Sequence, residues 1–350
     1  MLKVVILKEV AYFCVLIVMQ KPYKLDHNTM KKKKLLVTLA TAVMGIFTLS
    51  AQEELIYDQY HWNYYLVNPA LAGAEPCTHF MLTNKFQWAG LDDFPMTQLL
   101  SVKGRIKNVG LGGYIYNDRN GYSNRAGGQL TFAYHIPLSK GRQYTKRKTY
   151  DRQLSFGVSF KMNYFYISNK LFDESPEASY DAAFADRDGF APNANFGVYY
   201  KSYGGFVGLS LTNLIPVTGT LYGSAEKPAP FTGFLFGGYT FDLKNNNTYL
   251  EPMMMLKMDK YADIQMDINL KFGQEVSKKW GYWVQGSFRM AWDPANIQSE
   301  MVLLLAGFRI RQFQLGYAFT LDTNSLITQQ YGTHEIMLGY TFCYQRHFCR

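Results

Sequence analysis

Histidines are the residues in this sequence that could supply a general base for hydrolysis. A hydrolase also needs a nucleophile and a group that orients the base. None of the histidines after residue 52 stands in a recognisable nucleophile motif; they are His61, His79, His135, His334 and His347. We therefore predict that the protein is not an enzyme and that it has no catalytic residues and no cofactor.

Carboxylates are concentrated between residues 165 and 192. This stretch carries only Lys170 and Arg187 against the acids Asp173, Glu174, Glu177, Asp181, Asp186 and Asp188. Such acidity could serve a calcium ion or a binding partner, but the fixed carboxylate spacing of a calcium loop is missing. A solvated surface loop is the preferred interpretation, and no metal site is predicted.

An export signal precedes the part of the chain that carries these groups. Met30 is followed by Lys31 to Lys34, by an apolar stretch of about fifteen residues, and then by small residues up to Ala51. That stretch is shorter than the roughly 20 residues of a spanning helix. We predict that residues 30–51 form a signal peptide cleaved between Ala51 and Gln52, and that residues 1–29 reflect a start codon assigned too early. A signal anchor at residues 10–19 is the alternative.

Charge gives no reason to expect nucleic-acid binding. The whole chain has a formal net charge of +9, but residues 1–51 carry eight lysines and only two acids. Without them the net charge falls to +3. The high isoelectric point is therefore mostly a property of the leader.

The remaining chain is dominated by alternation of apolar and polar residues. Between residues 261 and 272 one face carries Ala262, Ile264, Met266, Ile268, Leu270 and Phe272, and the other carries Asp263, Gln265, Asp267, Asn269 and Lys271. Side chains alternate in this way along a β-strand and not along a helix. Residues 152–164 and 125–137 follow the same pattern, and long helical patterns are absent.

Fourteen segments of this kind predict an all-β fold. They are residues 78–88, 96–106, 109–117, 125–137, 152–164, 193–201, 204–212, 230–242, 248–258, 261–272, 279–289, 298–310, 312–320 and 334–344. Their lengths suit tilted membrane strands of about 9 to 11 residues. Together with the export signal and the aromatic strand ends, they predict a transmembrane antiparallel up-and-down β-barrel over residues 78–344. A large soluble β-protein is the alternative, because alternation alone does not say which face is wet.

Connection lengths predict the orientation of this barrel. Outer-membrane barrels alternate short periplasmic turns with longer outer loops. Short connections near Lys107, Ser202, Asn245, Val276 and Arg311 place both chain ends, including a tail at 345–350, in the periplasm. Residues 52–77 are aromatic-rich and lack clean alternation, so we expect them at or inside the periplasmic mouth, where a plug is one possibility.

Several stretches resemble the PorP/SprF family of Bacteroidetes outer-membrane proteins, in family order. They include YDQYHWNYYLVNPALAG near the mature start, KFQWAGLDDFPMTQLLS, GLGGYIYNDRNG and the final GTHEIMLGYTF. The matching positions are Asn68, Pro69, Gly73, Gln87, Trp88, Gly90, Asp92, Pro95, Thr97, Asn117, Asp118 and Gly121. Departures are Lys85, Asp93, Phe94 and the Cys-containing tail. From the residues alone, Gly90 and Pro95 bracket a turn. Asn117, Asp118 and Gly121 predict a second turn, because Asn and Asp cap their own backbone and Gly permits positive φ.

The resemblance implies a function in type IX secretion and gliding motility. It implies partners among periplasmic and outer-membrane secretion or motor components, and a part in the export or display of secreted surface adhesins. A porin or solute transporter is the alternative, supported by polar strand faces such as the one with Asp263, Asp267 and Lys271. Pairing of these residues across strands inside the lumen is the simpler interpretation.

One long connection, residues 138–151, lies on the side where short turns are expected. Its basic residues are Lys140, Arg142, Lys146, Arg147 and Lys148. A hairpin needs only two to five loop residues. The surplus is either a basic arm that docks the acidic face of a periplasmic partner or a solvated loop.

Closure of the barrel brings the chain ends together. Cys77 would then lie near Cys343 and Cys349, and the periplasm is oxidising. Cys77 and Cys349 are therefore a candidate disulfide, and free thiols at a frayed tail are the alternative.

Overall fold

The computed structural model describes most of the chain after residue 59. The described residues are 60, 62–91, 93–139, 152–175, 188–215, 231–243, 247–260, 263–277, 279–293, 296–323 and 331–343.

The described part of the chain contains fifteen β-strands. They are β1 (Thr78–Phe86), β2 (Met96–Ile106), β3 (Val109–Asn120), β4 (Ser123–Pro137), β5 (Arg152–Ile167), β6 (Asp188–Ser202), β7 (Gly205–Thr212), β8 (Thr232–Tyr239), β9 (Phe241–Leu243), β10 (Thr248–Asp259), β11 (Ile264–Gln274), β12 (Trp280–Asp293), β13 (Asn296–Ile310), β14 (Phe313–Asp322) and β15 (Thr333–Phe342). One short helix, α1 (Lys170–Glu174), lies in the β5–β6 connection. Among the described residues, no helix is both long enough and apolar enough to cross a membrane.

The strands form one closed antiparallel barrel. Apart from β8 and β9, each strand pairs with the next along the chain, and β15 pairs with β1, with Thr78 opposite Phe342. The short strands β8 and β9 both pair with β10, so they share one position in the wall and the barrel has fourteen wall strands. The predicted all-β barrel and its fourteen strands are confirmed.

The wall carries apolar side chains outside and polar side chains inside. On β11, Ile268 and Leu270 are 48% and 51% exposed, whereas Asp267 and Asn269 are 2% and 3% exposed. A soluble β-protein buries the opposite face, so this alternative is wrong. Lipid around the barrel accounts for the outward apolar face.

The two openings of the barrel differ in their connections. We call the opening where β1 begins and β15 ends the terminal mouth, and the opposite opening the distal mouth. Two-residue turns at 107–108, 203–204 and 311–312 close hairpins at the terminal mouth. At the distal mouth, β3 to β6 reach beyond their predicted ends; β6 begins at Asp188 and β5 runs to Ile167, so the acidic stretch 165–192 is partly strand.

Candidate functional site

Tyr60 and residues 62–77, which we call the plug, lie inside the barrel. The segment makes two 3₁₀ turns, at Tyr64–Leu66 and Pro69–Leu71, and its last residues reach the terminal mouth, where β1 begins. The local sequence accounts for the second turn: Asn68 is extended, as expected before proline, and its side chain accepts a hydrogen bond from Ala70 N at 2.9 Å.

Asn68 fixes the plug to two neighbouring wall strands. Its Nδ2 donates to the carbonyl oxygens of Val198 on β6 at 3.0 Å and Leu209 on β7 at 3.2 Å. Next to it, Ser210 Oγ donates to the carbonyl of Val67 at 2.6 Å. Asn68 is fully buried. Because a buried amide is costly unless it is hydrogen-bonded, this residue determines where the plug sits in the lumen.

Glycines on the inner face of the wall provide the space for the plug backbone. A β-carbon at Gly197 would overlap the side chain of Asn68, and one at Gly157 would overlap the Pro69–Ala70 backbone. Similar overlaps would occur at Gly110 with the carbonyl of Ala72 and at Gly316 with the Trp62 ring. The wall therefore lacks side chains where the plug approaches most closely.

Aromatic side chains hold the plug to the remaining wall. Tyr64 stacks on Phe236, with ring centroids 5.5 Å apart. Trp62 packs edge-on against Trp283 at 4.7 Å and donates from Nε1 to Gln314 Oε1 at 3.1 Å. These contacts reach β8, β12 and β14.

Tyr65 makes a hydrogen bond to the wall inside the lumen. Its hydroxyl lies 2.8 Å from Thr131 Oγ1. Burial raises the pKa of Tyr65 to about 12, so its hydroxyl stays protonated at physiological pH.

A buried ion pair meets the plug inside the lumen. Arg289 on β12 donates to both carboxylate oxygens of Asp267 on β11, at 2.8 and 2.9 Å, and both side chains are buried. The hydroxyl of Tyr60 donates to Asp267 Oδ2 at 2.9 Å. Burial, reinforced by the negative charge of Asp267, raises the pKa of Tyr60 well above its usual value, so it remains a donor. For Asp267, the interpretation of lumen charges paired across strands is confirmed.

Among the histidines that the structure describes, His135 is closest to a catalytic arrangement, but it serves the plug. Its Nδ1 lies 2.8 Å from Ser155 Oγ and its Nε2 lies 2.9 Å from the carbonyl of Ala72. A carbonyl only accepts, so Nε2 carries the proton and Nδ1 accepts from the serine. His135 and Ser155 are fully buried. A substrate has no access to this pair, which instead ties the plug to β4 and β5.

The family-motif residues of the β1–β2 connection join two loops at the distal mouth. Trp88, at φ 55°, donates from its indole to Asp322 Oδ2 at 3.0 Å. Gln87 N donates to the carbonyl of Pro95 at 2.9 Å. Gly90, at φ 99°, lies where a β-carbon would overlap the Tyr331 ring. The motif therefore closes a turn and holds it against the β14–β15 connection.

The other motif residues have local roles. Thr97 Oγ1 donates to Asp118 Oδ1 at 2.6 Å between β2 and β3. Asn117 and Asp118 lie within β3, opposite Gln98 and Thr97, so the predicted turn is wrong for these two residues, because β3 continues to pair with β2. Gly121, at φ 57°, forms the two-residue β3–β4 turn. In the plug, Gly73 at φ 65° touches the backbone of β2, so Asn68, Pro69 and Gly73 all serve the plug.

The disulfide differs from the expected one. Cys77 is bonded to Cys343, with Cα atoms 4.5 Å apart, so the predicted Cys77–Cys349 pair is wrong. The register explains the choice: Cys77 precedes Thr78, Cys343 follows Phe342, and these two strand residues are paired.

Several predicted positions lie outside the described residues. They are the cleavage site Ala51 and Gln52, the motif residue Asp92, the basic residues Lys140, Arg142, Lys146, Arg147 and Lys148, and Cys349. Within the described parts of the chain, no group of three or more His, Cys, Asp or Glu side chains is arranged to hold a metal ion.

Comparison with solved structures places the fold among outer-membrane barrels. The CymD monoaromatic hydrocarbon channel superposes with a TM-score of 0.50 at 11% identity, covering 83% of this chain and 94% of its own. The toluene transporter TodX of P. putida gives 0.45 at 8% identity, covering 80% and 93%. Omp33 of Acinetobacter baumannii gives 0.41 at 9%, covering 78% and 100%. At these identities the likeness concerns the fold alone.

Family comparison is more specific. No curated protein matches the sequence at a significant level. The model of the family described as type IX secretion system membrane protein PorP/SprF matches residues 49–340, which is most of the chain. This span includes the plug, the joined loops of the distal mouth and nearly all of the wall. The chain belongs to the PorP/SprF family of type IX secretion system membrane proteins.

Proposed function

We propose that this protein is a plugged, non-conducting outer-membrane component of a type IX secretion and gliding machine. The terminal mouth faces the periplasm, where it binds secretion or motor components, and the protein helps to export or display surface adhesins. Residues 30–51 are removed as a signal peptide on the way.

The observation that carries this proposal is the plug, taken together with the family. The plug contacts wall strands on opposite sides of the lumen, through Trp62 to β14 and through Asn68 to β6 and β7. A diffusion porin needs a continuous aqueous path. A lumen filled by a buried segment of the same chain favours a protein that works by binding partners at its mouths.

A porin or solute transporter is the competing function, and purified protein separates the two. The protein is extracted from outer membranes in mild detergent, its companions are identified by mass spectrometry, and the barrel is reconstituted into planar bilayers. We expect secretion components or an adhesin among the companions, and a wild-type barrel that does not conduct.

A variant with a disturbed plug controls the conductance measurement. In Gly197→Val the new side chain overlaps Asn68 and displaces the plug, so channel events are expected from that variant only. A wild-type barrel that purifies alone and conducts as readily as the variant would show that the protein is a transporter.

A further inference from the structure

The two mouths carry opposite charge. We count charged residues with described side chains that lie in a connection or within three residues of a strand end. At the terminal mouth there are nine cations, Lys103, Arg105, Lys107, Arg152, Lys201, Lys271, Lys279, Arg309 and Arg311, and four acids, Glu75, Asp242, Glu251 and Glu275. Counted in the same way, but without Asp267, which is buried in the lumen and paired with Arg289, the distal mouth has six cations, Lys85, Arg119, Arg125, Lys170, Lys257 and Lys260, and eight acids, Asp93, Asp118, Asp173, Asp188, Asp259, Asp263, Asp322 and Glu335.

The tight turns of the terminal mouth hold long side chains in an unfavourable backbone conformation. Lys107, Tyr203 and Arg311 have φ values of 55°, 52° and 54°. Glycine or asparagine would adopt this left-handed conformation with less strain. All three side chains are exposed, so packing does not explain their presence. Strain retained at exposed positions points to a role for the side chains themselves.

Neighbouring contacts organise these side chains around the opening. The guanidinium of Arg152 lies 5.0 Å from the centre of the Tyr203 ring, joining the β4–β5 and β6–β7 connections. Arg105 donates from Nε to the carbonyl of Lys107 at 2.6 Å. Farther around the mouth, a backbone hydrogen bond from Arg311 N to the carbonyl of Lys279 joins the β13–β14 and β11–β12 connections. The cations thus surround the mouth.

The direction of several of these side chains favours a partner over the opening. Lys103 and Arg105 share the inward face of β2 with Leu99 and Ser101, which are 1% and 3% exposed. Arg105 also donates to Gln153, which is buried on the inner face of β5. Lipid headgroups surround the outer wall and do not reach such positions, whereas a protein that covers the mouth does.

We propose that the basic rim of the terminal mouth, comprising Lys107, Arg152, Lys279 and Arg311, docks the acidic face of a periplasmic protein. This rests on the proposed function, which puts the terminal mouth in the periplasm. Clustered charge accelerates encounter and sets the orientation of the two proteins.

The test removes two rim cations without straining the turns. The rim variant combines Lys107→Asn with Arg311→Asn, because asparagine tolerates the positive φ of both turns. Arg119→Asn combined with Lys260→Asn is the matched control, since it removes two exposed cations from the distal mouth. Heat-modifiable gel mobility checks that both barrels fold. Identified secretion components recovered with each variant are quantified at about 50 mM and about 300 mM salt.

We expect recovery at low salt to fall roughly tenfold in the rim variant and to stay at the wild-type level in the control. Equal recovery from the two variants would overturn the proposal. So would unchanged protein recovery with loss of bound phosphatidylglycerol, because the rim would then be a lipid site.

A second probe separates this proposal from the proposed function. Poly-glutamate is titrated onto each purified barrel in nanodiscs. If no secretion component is recovered with the wild-type protein, the proposed function fails. Even then, an acidic protein partner is supported if the rim variant binds poly-glutamate more weakly than the wild type and the control variant does not. Poly-glutamate binding that is equal in the rim and control variants contradicts the docking surface directly.

Discussion

Removing the Cys77–Cys343 bond should lower the stability of the barrel without opening it. The bond joins residues 266 positions apart. For a loop of that length the chain-entropy relation gives a ceiling of about 5.6 kcal/mol, and removal of native disulfides usually costs about 2–5 kcal/mol. The β1–β15 ladder, which runs from Thr78 to Phe86, still holds the seam. For Cys77→Ser we therefore expect a loss of about 2–5 kcal/mol with the barrel closed.

The assay is guanidinium unfolding of the barrel refolded in detergent micelles and followed by tryptophan fluorescence. Wild-type protein with a reductant should unfold at the same denaturant concentration as Cys77→Ser without one. Peptide mapping under non-reducing conditions should recover Cys77 joined to Cys343.

Cys349→Ser is the matched control for this prediction. It leaves the seam bond in place and should unfold like the wild type. If Cys349→Ser is destabilised and Cys343→Ser is not, the pairing is wrong. If neither Cys77→Ser nor the reductant lowers the transition, the bond contributes no stability and the entropy argument fails.

Three further predictions concern the plug, the ion pair and the mature end. Gly197→Val should displace Asn68 and make the plug accessible to added protease; unchanged protection would contradict the close approach at that glycine. Asp267→Leu should leave the Arg289 cation buried without its counter-charge and destabilise the barrel by about 3–5 kcal/mol in the same unfolding assay, whereas a loss below about 1 kcal/mol would mean that water already screens the pair. Mass spectrometry of outer-membrane protein should find an N-terminus at Gln52, and a peptide spanning that position would disprove the cleavage.

The wall could be predicted from the sequence because every strand meets the same two environments. Lipid outside and a packed lumen inside impose an alternation that is visible within about ten residues of chain. Two strands differ from their predicted bounds. The predicted strand 230–242 is broken at Thr240 into β8 and β9, and β6 begins five residues early because it continues to pair with β5.

The plug could not be predicted in the same way because its contacts have no sequence period. Asn68 binds a carbonyl 141 residues away, and Trp62 binds a side chain 252 residues away. The sequence does carry one sign of the plug: Gly157 and Gly197 interrupt faces that otherwise carry polar side chains. Inward glycines at mid-strand indicate that another segment approaches closely.

For the disulfide, the argument from barrel closure was right and the choice of the second cysteine was wrong. Closure of the barrel correctly predicted that the chain ends meet. Register would have chosen between the two candidates, because Cys343 ends its strand just where Cys77 begins its own. The ion pair of Asp267 and Arg289 needed register as well, since the two residues face each other on β11 and β12.

The plug also changes how the barrel should respond to local damage. In an empty barrel each strand touches only its two neighbours, so a defect can remain confined to one hairpin, as in repeat proteins with nearest-neighbour contacts. Here one short segment bonds to β6 and β7 through Asn68, to β11 through Tyr60 and to β14 through Trp62. A disturbance of any of these strands is felt by the others through their shared partner. Hydrogen exchange should therefore show the amides of β6, β11 and β14 opening together as one cooperative unit, although these strands are far apart around the wall.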